Sequence, residues 1–205
     1  MIVSIIMTVI ALGGFLWGMH RFSYVILLGL FLIVLGFSYI SARLYVKKQP
    51  EKNNQVMTLY TRFALIFYFF FLFSLTFNVN RDAVRITLDK TILIKRLKEE
   101  ANLIPFKTIL DILKTNYPSS FVIIQIVGNI GALMPLGVLF PLVFQKARRV
   151  IPFTFMVIGM VLFIEFVQFV FNVGRLDIDD LILNLFGALI AYGIYNIAWK
   201  IIERK

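Results

Sequence analysis

Long apolar segments follow one another along most of the chain. A membrane-spanning helix needs about 20 mostly apolar residues to cross the hydrocarbon core. Six segments approach or reach this length, and they cover residues 2–17, 22–42, 59–79, 121–144, 151–171 and 181–199. The first has no basic region before it, so we expect a retained span rather than a signal peptide. The pattern predicts an all-α, polytopic transmembrane helical bundle of about six spans.

A polar stretch, residues 80–120, separates the third and fourth spans and is called the connecting segment below. Residues 84–88 alternate between apolar and polar side chains, which is a strand-like period. From residue 106 to 114, apolar residues recur at helical spacing opposite charged ones. This spacing predicts an amphipathic helix that lies in the membrane interface or packs on the bundle.

Composition supports a membrane protein and narrows its chemistry. Of the residues, 60% are hydrophobic and 16% charged, whereas soluble domains average roughly 45–50% and about 25%. The chain has no cysteine and one histidine, His20, so thiolate sites are excluded and histidine metal clusters are disfavoured. We predict no cofactor and no resident metal. The net charge of +10 indicates cytoplasmic loops and contact with membrane lipids rather than nucleic acid.

Basic residues in short loops predict the orientation of the spans, because such residues favour the cytoplasmic side. Loops after the second and fourth spans and the C-terminus are rich in Lys and Arg. We therefore expect a multi-pass protein of the cell membrane with both termini in the cytoplasm. The connecting segment then lies outside, although it carries eight basic residues, which cuts against the rule.

Polar residues inside apolar spans are costly in lipid and are by default candidates for a functional site. Glu165 is the acid that lies well inside a predicted span, and Gln168 and Asn172 follow it on the same helix face. Gln125 and Asn129 recur at helical spacing on the fourth span.

Three glycines and a charged loop add to the candidate site. Gly128 and Gly131 are expected to permit close helix contact, and Gly174 is expected to turn the chain. In the predicted orientation, the polar residues of three spans lie at one depth under the loop that joins the last two spans. Together they predict a polar cavity that opens outward, and the remaining members are Arg175, Asp177, Asp179, Asp180 and Asn184.

Structural roles compete with a binding role for each of these residues. Asp179 or Asp180 is a suitable N-cap for the sixth helix. The amides are suitable for hydrogen bonds between helices, and Pro135 and Pro141 for helix kinks. The sharpest hypothesis is that Arg175 and Glu165 form one electrostatic unit.

Four separated motifs resemble those of the VanZ-like family of bacterial membrane proteins, over about residues 59–195. They are residues 102–109, 128–137, 165–168, and 174–180 with Asn184 and Gly187. The family's namesake is associated with low-level resistance to teicoplanin, a lipid-bearing glycopeptide antibiotic, in Gram-positive bacteria. The resemblance supplies no catalytic residue. Matching positions are Asn102, Pro105, Asn129, Pro135, Glu165, Gln168, Arg175, Asp177, Asp179, Asp180 and Asn184.

The resemblance implies a VanZ-like membrane domain over residues 59–205, preceded by two spans and a cytoplasmic loop in residues 1–58. The leading hypothesis is a non-enzymatic protein of the bacterial cell envelope whose outward-facing site binds a lipid-linked cell-wall precursor or a lipoglycopeptide such as teicoplanin. The predicted ligand-binding residues are Asn102, Gln125, Asn129, Glu165, Gln168, Arg175, Asp177, Asp179, Asp180 and Asn184.

Two other functions fit the same residues. In a membrane enzyme acting on a lipid-linked envelope substrate, Glu165 is the general base, and Asp177, Asp179 and Asp180 hold a divalent cation. In a proton-coupled carrier, Glu165 is the proton site, but the inverted repeats of many carriers are not visible in the sequence.

Overall fold

The computed structural model describes residues 1–18, 24–78, 86 and 88–203. Within these residues the chain forms nine α-helices, and extended backbone pairs at one isolated bridge, between Asn102 and Asp177. The helices are α1 (Ile2–Gly18), α2 (Tyr24–Lys48), α3 (Asn53–Asn78), α4 (Lys90–Glu100), α5 (Lys107–Lys114), α6 (Ser119–Ala132), α7 (Met134–Val143), α8 (Val150–Val170) and α9 (Ile178–Glu203).

Five helical stretches in the described part of the chain are long and apolar enough to cross a membrane. They are Ile26–Lys48, Pro50–Leu75, Ser119–Val143, Val150–Val170 and Ile178–Glu203, and the shorter apolar helix Ile2–Gly18 precedes them. The predicted helical membrane bundle of about six spans is therefore confirmed.

The fourth span consists of two helices, α6 and α7, which meet at Leu133. Leu133 has φ −107° and ψ 3°, and it caps both helices. Pro135 follows in the first turn of α7, where its missing N–H has no helical partner to lose. Helix α7 therefore begins so that Pro135 lies in its first turn, where proline is tolerated.

The chain divides into two compact units, Met1–Arg81 and Asp82–Lys205. The predicted domain boundary between residues 58 and 59 stays a prediction. In the first unit, α1, α2 and α3 pack around aromatic side chains. Phe31 stacks on Phe67 and Phe71, with ring centroids 5.1 and 4.5 Å apart, and Phe15 meets Phe67 edge-on at 4.9 Å.

Helix α9 is the centre of the second unit, where it packs against α6, α7 and α8. Two glycines make the closest approaches possible. A Cβ atom at Gly187 would lie 1.8 Å from the carbonyl oxygen of Ile130 on α6, and one at Gly137 would lie 2.6 Å from three atoms of α9. Backbone therefore rests almost directly on a neighbouring helix at both places.

The glycines that the sequence analysis selected for this role do not have it. A Cβ atom at Gly128 or Gly131 would meet nothing within 4 Å, so that prediction was wrong. Both residues are exposed, and the close contact on α6 is made by the backbone of Ile130 instead.

The described part of the connecting segment contains two helices, α4 and α5. Most of the strand-like alternation at residues 84–88 lies outside the described residues. Helix α4 was not anticipated, although Asp89 is a strong N-cap whose carboxylate accepts hydrogen bonds from the N–H groups of Thr91 and Ile92 at 2.7 and 3.3 Å. Helix α5 lies where the amphipathic pattern predicts a helix.

The contact of Gly187 with Ile130 leads to a stability prediction. We expect Gly187→Ala to lower the free energy of unfolding by about 1–3 kcal/mol, because the added methyl group overpacks the α6–α9 contact. Thermal unfolding of the purified protein in detergent measures the effect.

Gly193→Ala is the matched control on the same helix, since nothing lies within 4 Å of a Cβ atom there. It should leave stability unchanged or raise it by up to about 1 kcal/mol through helix propensity. Equal unfolding temperatures for the two variants would contradict the packing described for α9.

Candidate functional site

A short parallel bridge ties the connecting segment to the loop before α9. The N–H of Asn102 donates to the carbonyl of Leu176 at 2.9 Å, and the N–H of Ile178 donates to the carbonyl of Asn102, also at 2.9 Å. The Asn102 side chain is buried and donates to the Asp177 carboxylate at 2.8 Å and to Thr108 Oγ1 at 2.9 Å. Asn102 therefore fixes α5 and α9 to each other.

Asp177 is the N-cap of α9. It directly precedes Ile178, and its Oδ1 accepts the N–H of Asp179 at 3.0 Å. Its Oδ2 accepts the hydroxyl of Thr108 at 2.6 Å and Arg175 Nη2 at 3.3 Å. Asp177 is only 2% exposed, so these donors supply what water otherwise would. The expectation that Asp179 or Asp180 caps this helix was wrong.

Asp179 caps a different helix, α5. Its carboxylate accepts the N–H of Phe106 and the N–H of Ile109, the latter at 3.0 Å. Asp179 is 1% exposed, and Phe106 itself takes the left-handed conformation with φ 65°. A carboxylate at a helix N-terminus satisfies free N–H groups and is favoured by the helix dipole. One acid of α9 thus holds the start of α5.

Asp180 joins α6 to α9. Its Oδ1 accepts a hydrogen bond from Asn129 at 2.6 Å, and its backbone carbonyl accepts one from Asn184 at 2.8 Å. Asn129 therefore makes the hydrogen bond between helices that was considered as an alternative to ligand binding, whereas Asn184 bonds the backbone of its own helix.

The three aspartates of the loop point to different partners. Within the part of the chain that the structure describes, no group of three acidic, histidine or cysteine side chains could hold a metal ion. The cation site expected for the enzyme hypothesis, with Asp177, Asp179 and Asp180 as its ligands, was therefore wrong.

At the end of helix α8, Asn172 takes the left-handed conformation that glycine usually has at a helix C-terminus. Asn172 has φ 57°, its N–H donates to the carbonyl of Phe169 at 3.2 Å, and the N–H of Val173 donates to the carbonyl of Gln168 at 2.9 Å. This is the Schellman arrangement. The sequence analysis expected Asn172 to extend the helix face of Glu165. It does not, because the helix has already ended at this residue.

Gly174 allows the loop to pack closely against α8, but it does not form the turn. We expected Gly174 to turn the chain, but it has no positive φ, and the residue in the left-handed conformation is Asn172. A Cβ atom at Gly174 would lie 3.0 Å from the Cβ of Gln168. A larger residue here would require Gln168 to shift by a few tenths of an ångström, so glycine lets the loop fold closely against the last turn of α8.

Glu165 is a buried acid with an unsatisfied oxygen. The residue is 5% exposed, and its Oε1 has no hydrogen-bond partner among the described residues. The charged groups that act most strongly on it are the carboxylates of Asp180 and Asp177, which carry its own sign.

Arg175 forms its ion pair with Asp177 rather than with Glu165. The hypothesis that Glu165 and Arg175 form one electrostatic unit was therefore wrong. The Arg175 side chain is 54% exposed, and it adds one long hydrogen bond, 3.4 Å, to Thr108. Much of the guanidinium group thus remains open to solvent.

The two glutamines are half-buried. The structure records no side-chain hydrogen bond for Gln125 or Gln168 within the residues that it describes. The predicted site residues therefore fall into two groups. Those bonded into one network are Asn102, Asn129, Arg175, Asp177, Asp179, Asp180 and Asn184, and those with unused bonding capacity are Gln125, Glu165 and Gln168.

Two residues that hold this region together were missed in the sequence analysis. Thr108 bonds Asn102, Asp177 and Arg175, and its place within the motif of residues 102–109 was the available signal. Arg96 is hidden in a charged run of α4. It donates to the carbonyls of Phe169 and Gly174 at 2.7 and 3.1 Å and lies 4.6 Å from the Phe169 ring, so it clamps the end of α8.

The cap on α5 leads to a testable prediction. Asp179→Asn keeps the shape of the side chain but turns one of its two acceptor oxygens into an NH₂ group that faces a backbone N–H. We expect amide hydrogen exchange at residues 106–109 to become roughly tenfold faster, as loss of a cap costs about 1 kcal/mol or more.

Asp111→Asn is the control, because Asp111 is an exposed residue of the same helix. Its exchange pattern at residues 106–109 should match that of the wild type. Unchanged exchange in Asp179→Asn would show that the carboxylate does not hold the helix.

The comparison with known families agrees with the motifs. A sequence model of the VanZ/LLP1 family matches residues 60–199, which is more than half of the chain. The chain matches no curated protein and no solved structure. The matched region contains every residue of the network just described. The chain therefore belongs to the VanZ/LLP1 family, as a multi-pass membrane protein.

Proposed function

We propose that this protein acts in the bacterial cell envelope and binds the head group of a lipid-anchored ligand at an outward-facing polar site around Glu165. The ligand is a lipid-linked cell-wall precursor or a lipoglycopeptide such as teicoplanin, and binding confers glycopeptide resistance in the second case. The observation that carries this proposal is the buried Oε1 atom of Glu165, which has no donor among the described residues.

A buried carboxylate oxygen without a donor is costly unless something completes its hydrogen bonds. The backbone N–H of Asp177 faces the Glu165 carboxylate, but Oε1 has no partner among the described residues. The neighbouring side chains do not help, because those of Asp177 and Asp180 are also acids. Asp177 already has its own donors in Asn102, Thr108 and Arg175. A ligand that brings an amine, hydroxyl or amide N–H would supply the missing donor. Sugar and peptide head groups are rich in these groups.

Arg175 suits the acidic part of such a ligand. Its guanidinium is half exposed and its bonds to Asp177 and Thr108 are long, at 3.3 and 3.4 Å. It thus retains N–H donors in the planar geometry that pairs with phosphate or carboxylate. Gln125 and Gln168 can add neutral donors and acceptors.

The chain around the start of α5 suits the lipid part. Its large apolar side chains are exposed in an amphipathic helix and the turn before it, and they are Leu103, Ile104, Phe106, Leu110 and Leu113. An apolar surface of this kind lies well at the membrane interface. We propose that it contacts the acyl chains of the ligand or of the surrounding bilayer.

Binding by Glu165 variants tests the proposal. Glu165→Gln keeps the shape and removes the charge, so we expect affinity for teicoplanin or for a lipid-linked precursor to fall about 10- to 100-fold, as for a lost charge-assisted hydrogen bond. Titration of the purified protein in lipid nanodiscs measures this affinity.

Glu99→Gln is the control for the charge change, since Glu99 is an exposed acid of the connecting segment and the variant should bind like the wild type. Arg175→Met should weaken binding of a phosphate-bearing precursor more than binding of a ligand that lacks phosphate. Wild-type affinity in a folded Glu165→Gln protein would remove Glu165 from the site.

The outward direction of the site has its own test. We propose that both termini are cytoplasmic, and the absence of cysteine allows single cysteines to be introduced at exposed Lys98 and Lys48. A membrane-impermeant maleimide should label the cysteine at Lys98 in intact cells, while the one at Lys48 should react only after lysis. The reverse pattern would invert the orientation and place the site on the cytoplasmic side.

A further inference from the structure

The first unit contains an open groove of about 840 Å³, within the range of small-molecule sites. It lies between α1, α2 and α3, beside the turn that joins α2 to α3. Its lining residues on α1 and α2 include Ile5, Ser41, Ala42 and Tyr45, and those at and along α3 include Lys52, Gln55, Val56, Leu59 and Phe63.

The groove is polar at one end and apolar along its length. Tyr45, Lys52 and Gln55 lie at the α2–α3 turn, whereas Leu59 and Phe63 follow on successive turns of α3. Phe63 stands ten residues after Asn53, the first residue of α3, or about 15 Å along the helix axis. The groove thus runs from a polar mouth at the helix ends into the depth that acyl chains occupy.

The mouth of the groove is positively charged. Lys52 Nζ lies 3.4 Å from the hydroxyl of Tyr45 and 5.9 Å from the centre of its ring, and no acid pairs with it among the described residues. Residues 43–52, at the end of α2 and the turn after it, contain four basic residues and a single acid, Glu51. The Tyr45 hydroxyl donates to Gln49 Oε1 at 3.0 Å, so the Lys52 ammonium is the group with donors suited to an anionic oxygen ligand.

We propose that this groove is a binding site for an anionic phospholipid. The phosphate and glycerol head group lie at Lys52 and the Tyr45 hydroxyl, and an acyl chain lies along Leu59 and Phe63. Charge complementarity selects the occupant, because each Lys or Arg near the membrane surface contributes roughly 1 kcal/mol toward an anionic lipid. The groove belongs to the first unit and the polar network around Glu165 to the second, and occupancy of the groove does not depend on the ligand proposed for the network.

Brominated lipids can test this site on the intact chain. A single cysteine is introduced at Leu59, labelled with a fluorophore, and the protein is placed in nanodiscs that contain phosphatidylglycerol or phosphatidylcholine with brominated chains. At equal mole fraction, we expect the brominated phosphatidylglycerol to quench this label with an apparent affinity about fivefold higher.

A second label position separates the groove from general surface attraction. Phe155 is 67% exposed and lies five residues into α8, after Arg148 and Arg149, so a label there reports ordinary lipid near basic residues. The preference for phosphatidylglycerol should be larger at Leu59 than at Phe155.

Charge variants complete the design. Lys52→Gln should reduce the preference at Leu59 to the value at Phe155, whereas Lys48→Gln, an exposed lysine that does not line the groove, should leave it unchanged. Circular dichroism and a monodisperse elution profile check that both variants are folded.

Several outcomes would overturn the proposal. Equal quenching by the two lipids at Leu59 would show that zwitterionic lipid fills the groove equally well, and absence of quenching by either would indicate an occupant that is not a lipid. An equal loss of preference in Lys48→Gln and Lys52→Gln would assign the effect to diffuse surface charge instead of this groove.

Discussion

The polar end of the second unit depends on the hydrogen bonds that the buried carboxylate of Asp177 accepts. This carboxylate caps α9, and it accepts hydrogen bonds from the connecting segment through Asn102 and Thr108. Because it is buried, each missing donor would leave a desolvated negative charge. The positions of α5, of the loop before α9 and of Arg175 therefore follow from how this one acid is satisfied.

The need of each buried acid for hydrogen-bond donors also explains why the acids of this region have different roles. Asp177 and Asp179 are fully engaged by N–H and O–H donors, and Asp180 is held by Asn129. Glu165 differs because an oxygen of its carboxylate is buried without a partner. Among the acids of this region, Glu165 is therefore the one with an oxygen that the described residues leave unbonded.

The spans could be predicted from the sequence because apolar length is a local property, fixed by the thickness of the bilayer. Part of the polar network could also be predicted, since polar residues in apolar spans are few. Thr108 could not, because it lies outside those spans and its three side-chain bonds form only in the folded chain. The pairing of the network residues could not be predicted either, because Asp177, Asp179 and Asp180 differ only in the direction in which the folded chain points them. Likewise, nothing local distinguishes Gly187, which touches α6, from Gly128, which touches nothing.

The cap that Asp179 provides to α5 has a consequence for how the protein is made. Helix α5 has eight residues, too few to be stable alone in water, and its cap comes from a residue 70 positions later than Ile109. During synthesis, the connecting segment therefore emerges long before the last span that completes it. Until α9 is inserted, the segment has its apolar side chains but no stable helix to carry them, so its final shape is among the last features of the protein to form.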